Sequence, residues 1–158
     1  MGIDSDFGRA FAKAQIEAGN SLPTSGTVLV SVQLKDREPI GDAIRDLAAS
    51  GFNVLATPGS ADFLIALGVA AEPVPKVGQG HPDVVERIES GDVDLVINTV
   101  DSKATTIRDS ASIRRSALLR GIPYCTTVAG ARASVGAILA MQAGSIGVRA
   151  LQEIHPDR

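Results

Sequence analysis

Thr57 and Ser60, two hydroxyls three residues apart, enclose Pro58 and Gly59 at the end of the apolar stretch Asn53 to Ala56. A strand, a glycine-containing turn and the start of a helix together make an anion cradle, because unpaired backbone N–H groups and the positive end of the helix dipole converge there. Polar residues recur at equivalent places. Arg37, Lys76, Asn98 and Thr99 each follow a predicted strand, and in a parallel sheet the crevice beyond the carboxyl ends of the strands is where ligands sit. A guanidinium and an ammonium would neutralise a phosphate there, while hydroxyls and turn amides donate hydrogen bonds to it. Taken singly, each of these residues is explained as well by a surface charge, a cap or a turn. Their joint placement is what points to a site.

Other chemistries find less support. No GxGxxG run follows the first predicted strand and no GxxxxGK[ST] run occurs, so the dinucleotide and NTPase templates are absent. His81 and His155 stand apart from Cys125 and from any close carboxylate cluster, which leaves no metal-ligand pattern and no implied cofactor. The pairs Asp92/Asp94 and Asp101/Asp109 could supply acid and base, but solvated caps and turns account for them more simply.

The elements that must position these side chains can be read from periodicity. Leu95, Val96 and Ile97 form an unbroken apolar run between an acidic turn and Asn98, Thr99, Asp101 and Ser102, the pattern of a strand buried on both faces. Thr27 to Gln33, Asn53 to Ala56, Ala71 to Pro75 and Ile122 to Thr126 read as further strands. Lys35 to Glu38 reads as a charged loop, and Pro39 as the first residue of a helix that carries Ile40, Ile44, Leu47 and Ala48 on one face. Helices are also expected after Ser60, from Pro82, from about Asp109 to Arg120 and from Gly130 to Gln142, while residues 145–154 fit either a helix or an edge strand. Strands alternating with helices at this pace imply an α/β fold: a doubly wound parallel sheet of about five strands with helices on both faces. Ahead of it, Phe7, Ala10, Phe11 and Ala14 repeat at helical spacing. Residues 1–26 therefore read as a helix and turn-rich linker, and residues 27–158 as the domain proper.

Composition sets outer limits. A chain of 158 residues, 44% of them hydrophobic, suffices for one core plus a terminal extension. The net charge of -3 offers no broad basic surface for nucleic acid, and 3% aromatics leave little material for stacking bases. No apolar run reaches the roughly 18 to 20 residues that cross a bilayer, and no signal pattern opens the chain. A single cysteine rules out an internal disulfide and fits a reducing compartment, so the expected location is the cytoplasm.

From MGIDSDFGRAFAKAQ onward, and over nearly its whole length, the sequence resembles the carboxyl-terminal part of the carbamoyl-phosphate synthase large chain. The runs ATPGS, KVGQGHPDVVERI, INTV, RDSASIRRSALLRGIPYCTT and LQEIH carry the likeness. It implies a methylglyoxal-synthase-like domain that serves that enzyme, in pyrimidine and arginine biosynthesis, as a regulatory module without catalysis of its own. Such a module binds nucleotide effectors, UMP as inhibitor and in some members IMP as activator, and contacts ornithine. Its implied partners are the remaining synthetase domains of the large chain and the small glutaminase chain. By the same likeness Arg37 stands where the family often has a lysine near the effector phosphate. Thr57 and Ser60 stand at the phosphate-binding hydroxyls around Gly59, and Lys76 at the basic residue of the KV-x-x-G run. Asn98, Thr99 and Asp109 face base and ribose, and Tyr124 and Thr126 fall in the segment associated with ornithine. Val100 and Pro58 depart from the family's frequent hydroxyl and histidine.

Two rival readings belong to other classes. A methylglyoxal synthase acting on dihydroxyacetone phosphate needs a positioned carboxylate base. That family places an aspartate in the loop where this sequence has His81, leaving Asp101 as an alternative. A structural oligomerisation domain would ignore phosphate ligands altogether. The opening helix resembles an internal segment of the larger enzyme, so Phe7 and Phe11 are expected to face a missing neighbour or to drive self-association.

Overall fold

The computed structural model describes residues 1–100, 104–144 and 146–147, with the backbone alone described for residues 104–106. Asp101, the closing LQEIH run and all but two residues of the ambiguous 145–154 segment lie outside the described residues. Among the described residues six helices and five strands alternate: α1 (Phe7–Glu17), β1 (Thr27–Ser31), α2 (Leu34–Ala49), β2 (Asn53–Ala56), α3 (Pro58–Ala66), β3 (Ala71–Pro73), α4 (Val84–Glu89), β4 (Leu95–Asn98), α5 (Ala104–Leu119), β5 (Tyr124–Cys125) and α6 (Val128–Ala143). The strands form one sheet in the order β3-β2-β1-β4-β5, and each neighbouring pair is parallel. Successive side chains of a strand face opposite sides, and β1 feeds two cores accordingly. Val28 and Val30 pack with α2, α3 and α6 through Ile40, Ile44, Leu64, Val135 and Ile138. Leu29 packs on the other face with α4 and α5 through Val84, Ile88, Ile113 and Ala117. The expected doubly wound parallel sheet is therefore present, and the direction in which strands are added reverses between β1 and β4.

Several boundaries differ from the sequence reading. β1 stops at Ser31 rather than Gln33, and α2 begins at Leu34. Pro39 thus lies inside the helix, where its missing N–H forgoes one hydrogen bond. Asp36 supplies negative charge to the first turn, and Gln33 Nε2 donates to its carboxylate at 2.7 Å. Lys35 to Glu38 are consequently helical, not a loop. α4 begins after Asp83 rather than at Pro82, because Asp83 caps the helix and Glu86 closes a capping box with it. α5 begins at Ala104, upstream of the expected Asp109.

α1 packs mainly through its small residues. Its buried residues are Gly8 and Ala12, whereas Phe7 is 70% exposed. A Cβ built on Gly8 would lie 2.7 Å from the Gly136 carbonyl oxygen of α6. The two backbones approach so closely that only small residues fit between them, which turns Phe7 outward; its ring lies 6.0 Å from that of the half-buried Phe11.

Candidate functional site: a cleft at the chain reversal

A cleft of about 240 Å³ opens at the carboxyl ends of the strands, where β1 and β4 send their following helices to opposite faces of the sheet. Its walls include Arg37 from α2, Thr57 and Gly59 at the start of α3, Lys76 and Val77 after β3, Asn98 and Thr99 at the end of β4, and Asp109, Ser110 and Ile113 from α5. Seven residues singled out in the sequence, widely spaced along the chain, thus share one concavity.

Local hydrogen bonding explains how each element delivers its residue. When β1 ends, the next two amides find side-chain partners: the Val32 N–H donates to Ser60 Oγ at 3.1 Å, and the Gln33 N–H donates to Thr99 Oγ1 at 3.1 Å. The β1–α2 junction is thereby tied to the elements on either side of it. Thr57 continues the ladder through its N–H, which donates to the Val30 carbonyl at 3.1 Å. Its carbonyl accepts from the Ser60 and Ala61 amides as α3 starts. Thr57 Oγ1 does not cap α3; it lies 3.5 Å from Ser31 Oγ and 3.3 Å from Ser60 Oγ. Ser60 is only 1% exposed and is not among the residues that line the cleft. Its hydroxyl braces the turn.

Arg37 reaches from α2 over the first turn of α3, so that a Cβ on Gly59 would stand 2.5 Å from its Nη2. Arg37 Nε is buried without a hydrogen-bond partner among the described residues. A guanidinium placed against the positive end of a helix repels it, and an anion between the two relieves that repulsion. Among the described residues, neither Arg37 nor the exposed Lys76 is paired with a carboxylate.

Among the described residues, the opposite wall holds uncharged polar groups and one carboxylate, Asp109. Asn98 is 3% exposed, and its Nδ2 donates to Ser110 Oγ at 2.8 Å and to Tyr124 Oη at 2.6 Å. Ser110 Oγ and Tyr124 Oη lie 3.3 Å apart. Val77, Val84 and Ile113 add an apolar rim. Tyr124 and Thr126 line a separate depression of about 520 Å³, together with Arg114, Gln15 and Phe11. The hydroxyl of Tyr124 thus touches a wall of the first cleft while its residue borders the second.

The loop carrying Lys76 is held by carboxylates. Asp83 accepts from the amides of Gly78, Val85 and Glu86. Desolvation pushes its carboxyl up, but those three donors outweigh it and hold the group below the usual range. His81 sits outside the cleft lining and pairs with Glu86 at 2.9 Å. Among the described residues no group of His, Cys, Asp or Glu could hold a metal ion, and no helix is long and apolar enough to cross a membrane.

The sequence reading missed Ser110, Ile113 and the apolar rim. Asp109 and Ile113 share a helical face at i, i+4 spacing, a signal already present within the expected Asp109 to Arg120 helix.

The chain is similar to known proteins in sequence and in fold. The chain is 48% identical over 153 residues to the carbamoyl phosphate synthase large chain of Brucella suis, a match that covers 97% of this chain and 13% of the relative. It is 42% identical over 155 residues to the carbamoyl phosphate synthase large chain, C-terminal section, of Methanopyrus kandleri, covering 98% of this chain and 29% of the relative. The chain therefore spans a minor part of the curated relatives it matches. In fold it is similar to the crystal structure of methylglyoxal synthase from Elizabethkingia anophelis, with a TM-score of 0.56, 18% identity and coverage of 72% of this chain and 79% of that one. The family model described as the MGS-like domain matches residues 40–126, from α2 through β5. With more than half of its length matched by that model, the chain belongs to the MGS-like domain family.

Proposed function

We propose that the cleft binds a nucleoside monophosphate, UMP or IMP, and that the chain acts as the allosteric effector-binding domain of a carbamoyl-phosphate synthase large chain. The observation that carries this reading is the placement of Arg37 over the amino terminus of α3 with Lys76 on the same cleft and no carboxylate partner for either among the described residues. Arg37, Thr57, the Gly59 turn and Lys76 hold the phosphate, and Ser60 keeps Thr57 and the β1 end in register. Asn98, Thr99 and Asp109 meet ribose and base, with Val77, Val84 and Ile113 flanking the ring. Tyr124 and Thr126 contact ornithine in the neighbouring depression. The remaining synthetase domains and the small glutaminase chain receive the signal.

Regulation in this scheme is a difference in effector affinity between two states of the whole enzyme, of the order of 1–3 kcal/mol. Similarity to synthase large chains supports this over methylglyoxal synthesis. The likeness to a methylglyoxal synthase lies at 18% identity, and His81, which stands in place of that family's loop aspartate, is outside the cleft lining.

Calorimetric titration of UMP and IMP into the chain tests the reading. Saturable binding that weakens by about ten- to hundredfold in Lys76→Ala is the expected result. Absence of heat at millimolar ligand, or equal affinity in the variant, would contradict it.

A further inference from the structure

Lys76 is exposed, and its backbone belongs to the loop from Pro75 to Val84. Two backbone hydrogen bonds and one left-handed glycine define that loop. The Gln79 N–H donates to the Lys76 carbonyl at 2.9 Å, Gly78 takes φ +69 within the turn, and the Val84 N–H donates to the Pro75 carbonyl at 3.0 Å. One side chain ties the turn to the helix that follows. Asp83 Oδ1 accepts from the Val85 and Glu86 amides at 2.9 and 3.0 Å, and its Oδ2 accepts from the Gly78 amide at 2.8 Å. Asp83 is 7% exposed and does not line the cleft, although its neighbour Val84 does. Around the turn, the Asp83 amide donates to Glu86 Oε2 at 2.8 Å, and Glu86 in turn pairs with His81.

We infer that Asp83 is a positioning residue for the anion site, fixing Lys76 through the Gly78 amide; the inference rests on the phosphate-binding reading above. A helix cap alone needs one acceptor oxygen, which asparagine supplies as well as aspartate. Accepting from two directions at once takes the second carboxylate oxygen. Asp83→Asn therefore keeps the cap through Oδ1 and presents an N–H to the Gly78 N–H, which opens the turn without unfolding α4. Asp83→Ala removes both functions.

A double-mutant cycle on the full chain separates positioning from general structure. UMP is titrated calorimetrically into wild type, Asp83→Asn, Lys76→Ala and the double variant, and each protein is also melted. Asp83→Asn is expected to weaken UMP by about three- to tenfold, with a melting temperature close to wild type, while Asp83→Ala lowers melting temperature as well. In the Lys76→Ala background the Asp83→Asn change is expected to add nothing. Wild-type affinity in Asp83→Asn, or losses from the two substitutions that simply multiply, would overturn the role of Asp83 while leaving the anion site standing. Unchanged affinity in Lys76→Ala would remove the anion site itself, and the inference with it.

Discussion

At the scale of single residues, the site depends on Gly59. A methyl group there would meet the Arg37 guanidinium at 2.5 Å, and because the contact is with the far end of a flexible side chain, Arg37 moves rather than the helix. Alanine has a higher helix propensity than glycine by up to about 1 kcal/mol. Gly59→Ala should therefore leave stability unchanged or slightly raised in urea denaturation, while UMP affinity falls by about five- to tenfold as one charge-assisted contact is displaced. Loss of stability without loss of affinity would show that Gly59 serves the fold alone. Arg37, Thr57 and Lys76 could be singled out from sequence because cationic and hydroxyl groups after apolar runs have a stated use at strand ends. Ser110 could not, since its place in the cleft depends on a hydrogen bond to Asn98, twelve residues away.

At the scale of elements, the junctions matter more than the strands. β1 loses its ladder partners after Ser31, and Ser60 and Thr99 supply acceptors for the next two amides from the elements on either side. Ser60→Ala leaves the buried Val32 N–H unpaired, which should cost about 1–3 kcal/mol, read as a lower urea midpoint with an unchanged slope. A midpoint equal to wild type would mean that another group satisfies Val32. The strand cores and the helices after β1 and β2 were legible because apolar runs and glycine stops are local signals. Helix starts were less so. Pro39 suggests a first turn by propensity, yet Gln33, Asp36 and the packing of Ile40 begin α2 five residues earlier. Likewise the helical face of α1 is chosen by backbone approach to Gly136, which no periodicity of phenylalanines reveals.

At the scale of the whole molecule, strand order turns scattered positions into one site. Residues from 37 to 109 meet because β1 and β4 lie side by side within the sheet and send their following helices to opposite faces. Alternating strands and helices imply such a sheet, but the order β3-β2-β1-β4-β5 is a property of long-range pairing and becomes visible only in the structure. The same topology places the cations of the cleft at β2 and β3 and, among the described residues, its acidic lining residue Asp109 at the α5 end. A ligand with a charged head and a neutral body is thereby given an orientation. The most direct measurement is a crystal structure of the chain grown with UMP. The account requires the phosphate to lie between the start of α3, Arg37 and Lys76, with the uridine directed toward Asn98 and Asp109. A nucleotide seated instead in the depression bordered by Tyr124 and Thr126, with the α3 turn and Lys76 untouched, would contradict it.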